Sequence, residues 1–221
     1  MPTYLVSDLI TGTRQKADMQ NSAFVTDSEI LGYLNSGWQK LYGLIVQRFE
    51  NYYIDQTTIA LMTNTSEYPL PSDFFKMLGI DLNVGSGVYT LRPWSFNERN
   101  KASQSAIDSP SRYIIVGNKV KFVPTPSNNH TATVYYVPMP TALTLLGSIE
   151  LPPYGEEYLT SKAGVDCKQK EESDPSVLMA QEQEAERFLL EVLANRDNGL
   201  PMRMTDTSAM NDGAFDRWWT L

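Results

Sequence analysis

A chain of 221 residues with 42% apolar content can bury a real core, in one large domain or two small ones. Its net charge of −8 excludes the broad Lys- and Arg-rich surfaces that hold nucleic-acid phosphates, although an acidic wall still lets DNA slide past without sticking. Neither an apolar membrane span nor a basic-then-apolar secretory leader is present, and the single cysteine, Cys167, excludes an internal disulfide framework and fits a reducing compartment.

Helical spacing opens the chain. Val6, Leu9, Ile10, Thr13 and Ala17 recur at intervals of three and four, which predicts a short helix from near Tyr4. Thr26 followed three residues later by Glu29 is a capping-box signature. From there Ile30, Leu34, Trp38, Leu41, Ile45 and Phe49 form one stripe, widened by Leu31, Tyr42 and Leu44. This predicts a helix of about 23 residues, roughly 34 Å long at 1.5 Å per residue.

The pattern changes after Asn51. Residues 57–62 read as a strand, closed by Asn64-Thr65-Ser66. Pro69 and Pro71 forbid helix or central strand around them, and Ser72 or Asp73 is placed to cap a single helical turn. Residues 77–84 and 88–91 are strands turned by Gly85-Ser86-Gly87, and 97–109 reads as a short helix and loop. The clearest hairpin joins 112–116 to 119–123 through Gly117-Asn118. A further strand, 132–137, stops at Pro138-Met139-Pro140.

Helix resumes after Pro152-Pro153, where Leu159, Ala163 and Cys167 share one face. Asp174-Pro175 starts a last helix with the stripe Leu178, Ala185, Phe188, Leu189 and Val192 and an acidic outer face of Glu182, Glu184, Glu186 and Glu191. The expected fold is α+β. It comprises an antiparallel bundle of about four helices (1–50 and 154–197), an inserted small antiparallel β-sandwich or barrel (51–153) and an extended C-terminal arm (198–221).

Little in the chain looks like chemistry. His130, the only histidine, lies in the polar run Ser127-Asn128-Asn129-His130 and reads as a solvated turn residue, since a catalytic base needs an oriented partner and a metal site several ligands. Cys167 on an apolar stripe behaves as a small hydrophobe. Glu156, Glu157, Glu171, Glu172 and Asp174 read as helix-start and surface acids rather than a hydrolase cluster. Gly85-Ser86-Gly87 lacks the Lys-Ser/Thr of a phosphate loop. No catalytic residue, metal ligand or cofactor is expected.

The last residues stand apart. Phe215, Trp218, Trp219 and Leu221 are large apolar groups on a polar arm that contains Gly213. Either they fold back onto the chain's own helices or they reach another subunit or partner, and the second reading is preferred because a few buried aromatic anchors supply most of an interface's affinity.

The runs Thr26-Asp27-Ser28-Glu29-Ile30, Leu34-Asn35, Lys40-Leu41-Tyr42-Gly43-Leu44-Ile45 and Tyr52-Tyr53 resemble the opening of head-to-tail adaptor (connector) proteins of tailed bacteriophages. The similarity continues through Tyr68-Pro69-Leu70-Pro71-Ser72-Asp73-Phe74-Phe75-Lys76, Phe122-Val123-Pro124-Thr125-Pro126, Tyr135-Tyr136-Val137-Pro138-Met139-Pro140 and Glu156-Glu157-Tyr158. It spans roughly residues 3–195 and is greatest to the adaptors of short-tailed phages, the group of tail tubular protein A. The resemblance implies a structural virion protein without catalytic residues: a dodecameric ring beneath the portal, with tail or nozzle proteins below and DNA passing through the lumen without sequence-specific binding. It would be made in the host cytoplasm, reside at the virion neck and touch no membrane. Two other readings stay open. One is a receptor- or glycan-binding β-module on a helical stalk, with Tyr89, Trp94 and Tyr113 stacking on sugars; the other is a small hydrolase acting through His130.

Overall fold

The computed structural model describes residues 2–95, 97 and 107–194. The anchors Phe215, Trp218, Trp219 and Leu221 lie outside the described residues, as does most of the 97–109 stretch.

Strand β1 (Thr3–Leu5) precedes helix α1 (Val6–Lys16), so the chain opens extended where the helix was expected from Tyr4. β1 pairs antiparallel with β11 (Ser148–Glu150), which ties the N-terminus to the entry of the later helices. Helix α2 (Asp27–Arg48) starts as the capping box predicts: Thr26 Oγ1 accepts from Glu29 N, and the Glu29 carboxylate accepts from Thr26 N. The α1–α2 connection is held by Arg14, whose guanidinium donates to Met19 O, Ser22 O, Val25 O and Asp27 Oδ1.

Lys170 reaches back from helix α3 (Gly155–Lys170) to the same Glu29 at 2.6 Å. That hydrogen bond, with those from Thr26, holds the Glu29 carboxyl down at about 2 from its usual value near 4.5. A depressed acid stabilises the fold above its unfolded-state pKa, and the contribution is lost as pH falls through the folded value. The thermal midpoint is therefore expected to drop between about pH 4.5 and pH 2. Its difference from a Glu29→Gln protein should be largest at neutral pH and shrink across that window in parallel acid melts.

Helices α1, α2 and α4 (Ser176–Ala194) each pack on α3. Tyr158, Leu159, Ala163, Val165 and Cys167 are all buried, so α3 is covered on more than one face. Gly37 and Gly164 permit the close approach: a Cβ at 37 would stand 3.4 Å from Leu159 Cδ2, and one at 164 would stand 3.1 Å from Leu178 Cδ1. In α4 the inward residues are Leu178, Ala185, Leu189 and Leu193, whereas Val192, expected inside, is exposed. Glu182 and Glu186 are half-buried rather than on an outer face.

The remaining strands are β2 (Asp55–Leu61), β3 (Glu67–Pro69), β4 (Phe74–Asn83), β5 (Val88–Pro93), β6 (Ile107–Asp108), β7 (Arg112–Val116), β8 (Lys119–Val123), β9 (Thr125–Pro126) and β10 (His130–Pro138). Seven form one large, nearly closed sheet in the order β2-β10-β4-β5-β7-β8-β3. Of the expected sandwich or barrel, one nearly closed sheet fits the barrel alternative, and the expected antiparallel pairing is corrected at one place, where β5 pairs with β7 in parallel.

The first and last strands of that order, β2 and β3, are successive in the chain and joined by the turn at 62–66. Tyr68 spans the turn, its hydroxyl accepting from Met62 N at 2.6 Å. Pro69 lies on this edge strand, where its missing N–H costs no ladder bond. No helical turn follows it: Phe74 N bonds Pro71 O and β4 begins at once. The β7–β8 hairpin turns at Gly117 with φ +59°, a conformation that suits a residue without Cβ.

Two apolar cores result. One gathers the helix stripes with Val137, Leu143, Ile149 and Leu151; the other fills the sheet with Leu61, Ile80, Leu82, Leu91, Val120, Phe122, Ala132 and Val134. Strand β10 belongs to both. Ala132, Val134 and Tyr136 alternate into the sheet core, and a register shift between Val137 and Pro138 follows the point where Val137 turns to the helices.

Candidate docking surfaces

The chemical candidates are dispersed. Cys167 is fully buried and burial is the largest of the effects that push its thiol up to about 11, so it is a packed hydrophobe with negligible thiolate at neutral pH. His130 is not in a solvated loop but opens β10, opposite Leu61, and is half-buried. Glu156 and Glu157 lie in the first turn of α3, whereas Glu171 and Glu172 follow its end. Matching members of the two pairs stand fifteen positions apart, about 22 Å along the helix. Asp174 Oδ1 accepts from Ser176 N and serves the start of α4. Among the described residues, no group of three or more His, Cys, Asp or Glu is placed to hold a metal ion, and no helix is long and apolar enough to cross a membrane. Of the three rings expected to stack on sugars, Trp94 and Tyr113 are buried and only Tyr89 is exposed.

What the molecule does present is exposed apolar surface on firmly held backbone. After β10 the chain runs back along α2, pinned at three places. Tyr42 Oη donates to Pro138 O at 2.5 Å, and Trp38 Nε1 donates to Thr141 O at 3.1 Å. Asn35 is the third: its amide donates to Leu143 O at 3.2 Å while its Oδ1 accepts from Leu143 N at 2.7 Å.

Beyond Leu143 a tight turn closes through Gly147 N to Thr144 O at 2.9 Å. A Cβ at Gly147 would fall 2.7 Å from Thr144 Oγ1 and 3.2 Å from Thr144 O, so any larger residue would force Thr144 to shift. Leu145 and Leu146 project from it, Leu146 fully exposed, and Leu5 of the adjoining β1 is exposed as well. Apolar side chains on so firmly held a turn need no large ordering entropy to dock. Sequence reasoning missed this knob; its signal was the apolar run of residues 142–146, bracketed by Pro140 and Gly147.

Because Asn35 satisfies both backbone groups of a residue only 7% exposed, Asn35→Ala is expected to lose about 1–3 kcal/mol in urea denaturation.

A second surface is a groove of about 610 Å³ lined by α2, α4 and the start of β4. Val46 and Tyr158 are buried beneath it, Leu44 is half-buried, and Phe75 is 49% exposed at its side. Lys40, Gln47, Lys76 and Glu186 add polar groups to the lining. Gly43, in mid-helix, has nothing within 4 Å of where a Cβ would stand among the described residues. Gly43→Ala should stabilise the isolated fold by about 0.5–1 kcal/mol, raising the melting midpoint by ~2–4 °C.

At the hairpin tip of the sheet, Val88 and Tyr89 form a further exposed pair. The described surface thus offers several exposed apolar patches on held backbone, the kind of surface that suits docking. The chain belongs to the SU10 adaptor protein family, whose model matches residues 4–208. That membership bears out the resemblance to phage head-to-tail adaptors and makes this a structural phage adaptor. No curated protein matches the chain.

Proposed function

We propose that copies of this chain close into a dodecameric ring at the virion neck, between the portal above and tail or nozzle proteins below, with genomic DNA passing through the lumen. The observation that carries the reading is the Leu5, Leu145 and Leu146 knob, a rigid apolar projection on a chain of an adaptor family. Its match is a different patch on the next copy, and a heterologous contact of that kind forms a ring when its rotation closes. The net charge of −8 suits a lumen that repels the phosphate backbone.

In this arrangement the helical unit (1–50 and 154–197), built as a bundle, forms the wall of the ring. The β-unit (51–153) faces outward or tailward, and the arm (198–221) carries Phe215, Trp218, Trp219 and Leu221 to the portal or a neighbouring copy. Such a protein needs neither a catalytic centre nor a cofactor.

The test is negative-stain imaging and sedimentation of the purified protein, alone and mixed with the portal of its own phage. Closed rings of this chain seated on the portal are expected. Portal particles without added density at any concentration, or discrete particles in which copies never touch, would overturn the ring.

A further inference from the structure

We propose that the groove between α2 and α4 is the seat of this chain's own aromatic terminus, centred on Trp218 and Trp219, in the isolated protomer, so that the arm is latched until a portal draws it out. The inference rests on the arm reading above and adds a state that precedes assembly.

The groove is the right kind of site. Its volume of about 610 Å³ falls within the range of cavities that enclose compact organic groups, roughly 300–1,000 Å³. Leu44, Val46, Phe75 and Tyr158 give it an apolar and aromatic wall. Lys40 and Lys76 stand in its lining, Lys76 paired with Glu50, and the Lys40 ammonium favours both indole faces and the carboxylates of Asp212 and Asp216, which precede the tryptophans in sequence. Gly43 keeps the helix surface open in the same groove, although none of the described residues comes within 4 Å of where its Cβ would stand.

The route is also right. A second cavity, of about 510 Å³, is lined by Arg48, Leu190 and Ala194, and shares Glu186 with the first. The described part of α4 ends at Ala194, which lines this second cavity. Asn198-Gly199 is a turn signal that permits the chain to reverse there. Residues 199–215 span up to about 56–61 Å when extended. The helix length from Glu182 to Ala194, which the return path must cover, is only about 18 Å. A tethered segment within such reach meets its site at an effective concentration in the millimolar range, far above that of a second copy in dilute solution.

The experiment is ¹⁹F NMR of the full chain carrying fluorotryptophan, with a nitroxide at Gln47→Cys. Cys167 is fully buried, so the label goes to position 47. Trp218→Phe and Trp219→Phe assign the two resonances of interest. Both should lose intensity in the nitroxide form and regain it on reduction with ascorbate, independently of protein concentration. Gly43→Met, which has free space in the protomer, and Phe75→Asp should each restore the intensity without reduction.

Full intensity in the labelled wild-type chain overturns the proposal. So does broadening that survives Gly43→Met, or broadening seen when label and fluorine are on different chains, which would assign the groove to a second copy. Portal co-sedimentation separates the two readings. If the arm reading is wrong, removing residues 199–221 leaves portal binding unchanged whatever the NMR shows; if only the latch is wrong, that deletion abolishes portal binding while the resonances ignore the label.

Discussion

The Trp38→Ala protein is expected to be about 3–5 kcal/mol less stable than the wild type, a large part of the 5–15 kcal/mol typical of a folded domain. Trp38 is 6% exposed and packs edge-on against Tyr42 and Tyr53, with ring centroids at 5.5 and 6.3 Å. Truncation removes this packing and leaves a cavity between α2 and the returning chain. It also deprives the Thr141 carbonyl of the indole N–H, a separate loss of about 1–3 kcal/mol if no water replaces it. Urea unfolding followed by circular dichroism measures the sum. Trp38→Phe keeps an aromatic ring against Tyr42 and Tyr53 but loses the N–H and part of the indole's volume, so it should fall between wild type and Trp38→Ala. A Trp38→Ala protein within ~1 kcal/mol of wild type would mean that the 138–147 run is not held through this residue, and the account of a rigid Leu145–Leu146 knob would fail with it.

Much of the fold was legible because it is written locally. The α2 start needed only Thr26 and Glu29, whose side chains meet across one turn, and the β7–β8 hairpin needed only Gly117 between two alternating runs. The errors arise where distant parts decide. Residues 3–5 became a strand because a partner, β11, lies more than 140 positions away. The sheet order, with its parallel β5–β7 pair, depends on a crossing that periodicity does not reveal. Val192 and Leu193 are equally apolar, and which of them faces inward follows from the packing of α4 on α3 rather than from composition.

The docking surfaces were harder to read for the same reason. Leu145 and Leu146 look like core residues in sequence, and only the pinning of the preceding run by Asn35, Trp38 and Tyr42 shows that they point away from it. Trp94 and Tyr113 misled in the opposite sense: they were taken for exposed stacking rings and are buried at the β5–β7 junction, where Trp94 N bonds Tyr113 O. A groove is more elusive still, since Gly43, Phe75 and Glu186 come from three separate elements.

Trp218→Ala combined with Trp219→Ala is expected to weaken portal docking about a thousandfold or more, as does deletion of residues 199–221. Buried tryptophan anchors commonly cost 2 kcal/mol or more each on truncation, and about 4 kcal/mol corresponds to roughly a thousandfold in Kd. The fold should survive either change, since among the described residues both apolar cores are built from positions 6 to 193. Equal circular dichroism spectra with a lost portal complex would place the energy of attachment in those two rings. Undiminished co-assembly would remove the arm from the portal contact and leave the ring to be held by the folded surface alone, with the Leu145–Leu146 knob then bearing the contact. The two results also divide the assembly order. An anchor that supplies most of the affinity makes portal encounter the first step and ring closure its consequence, because copies tethered to one portal meet at an effective concentration far above that in solution.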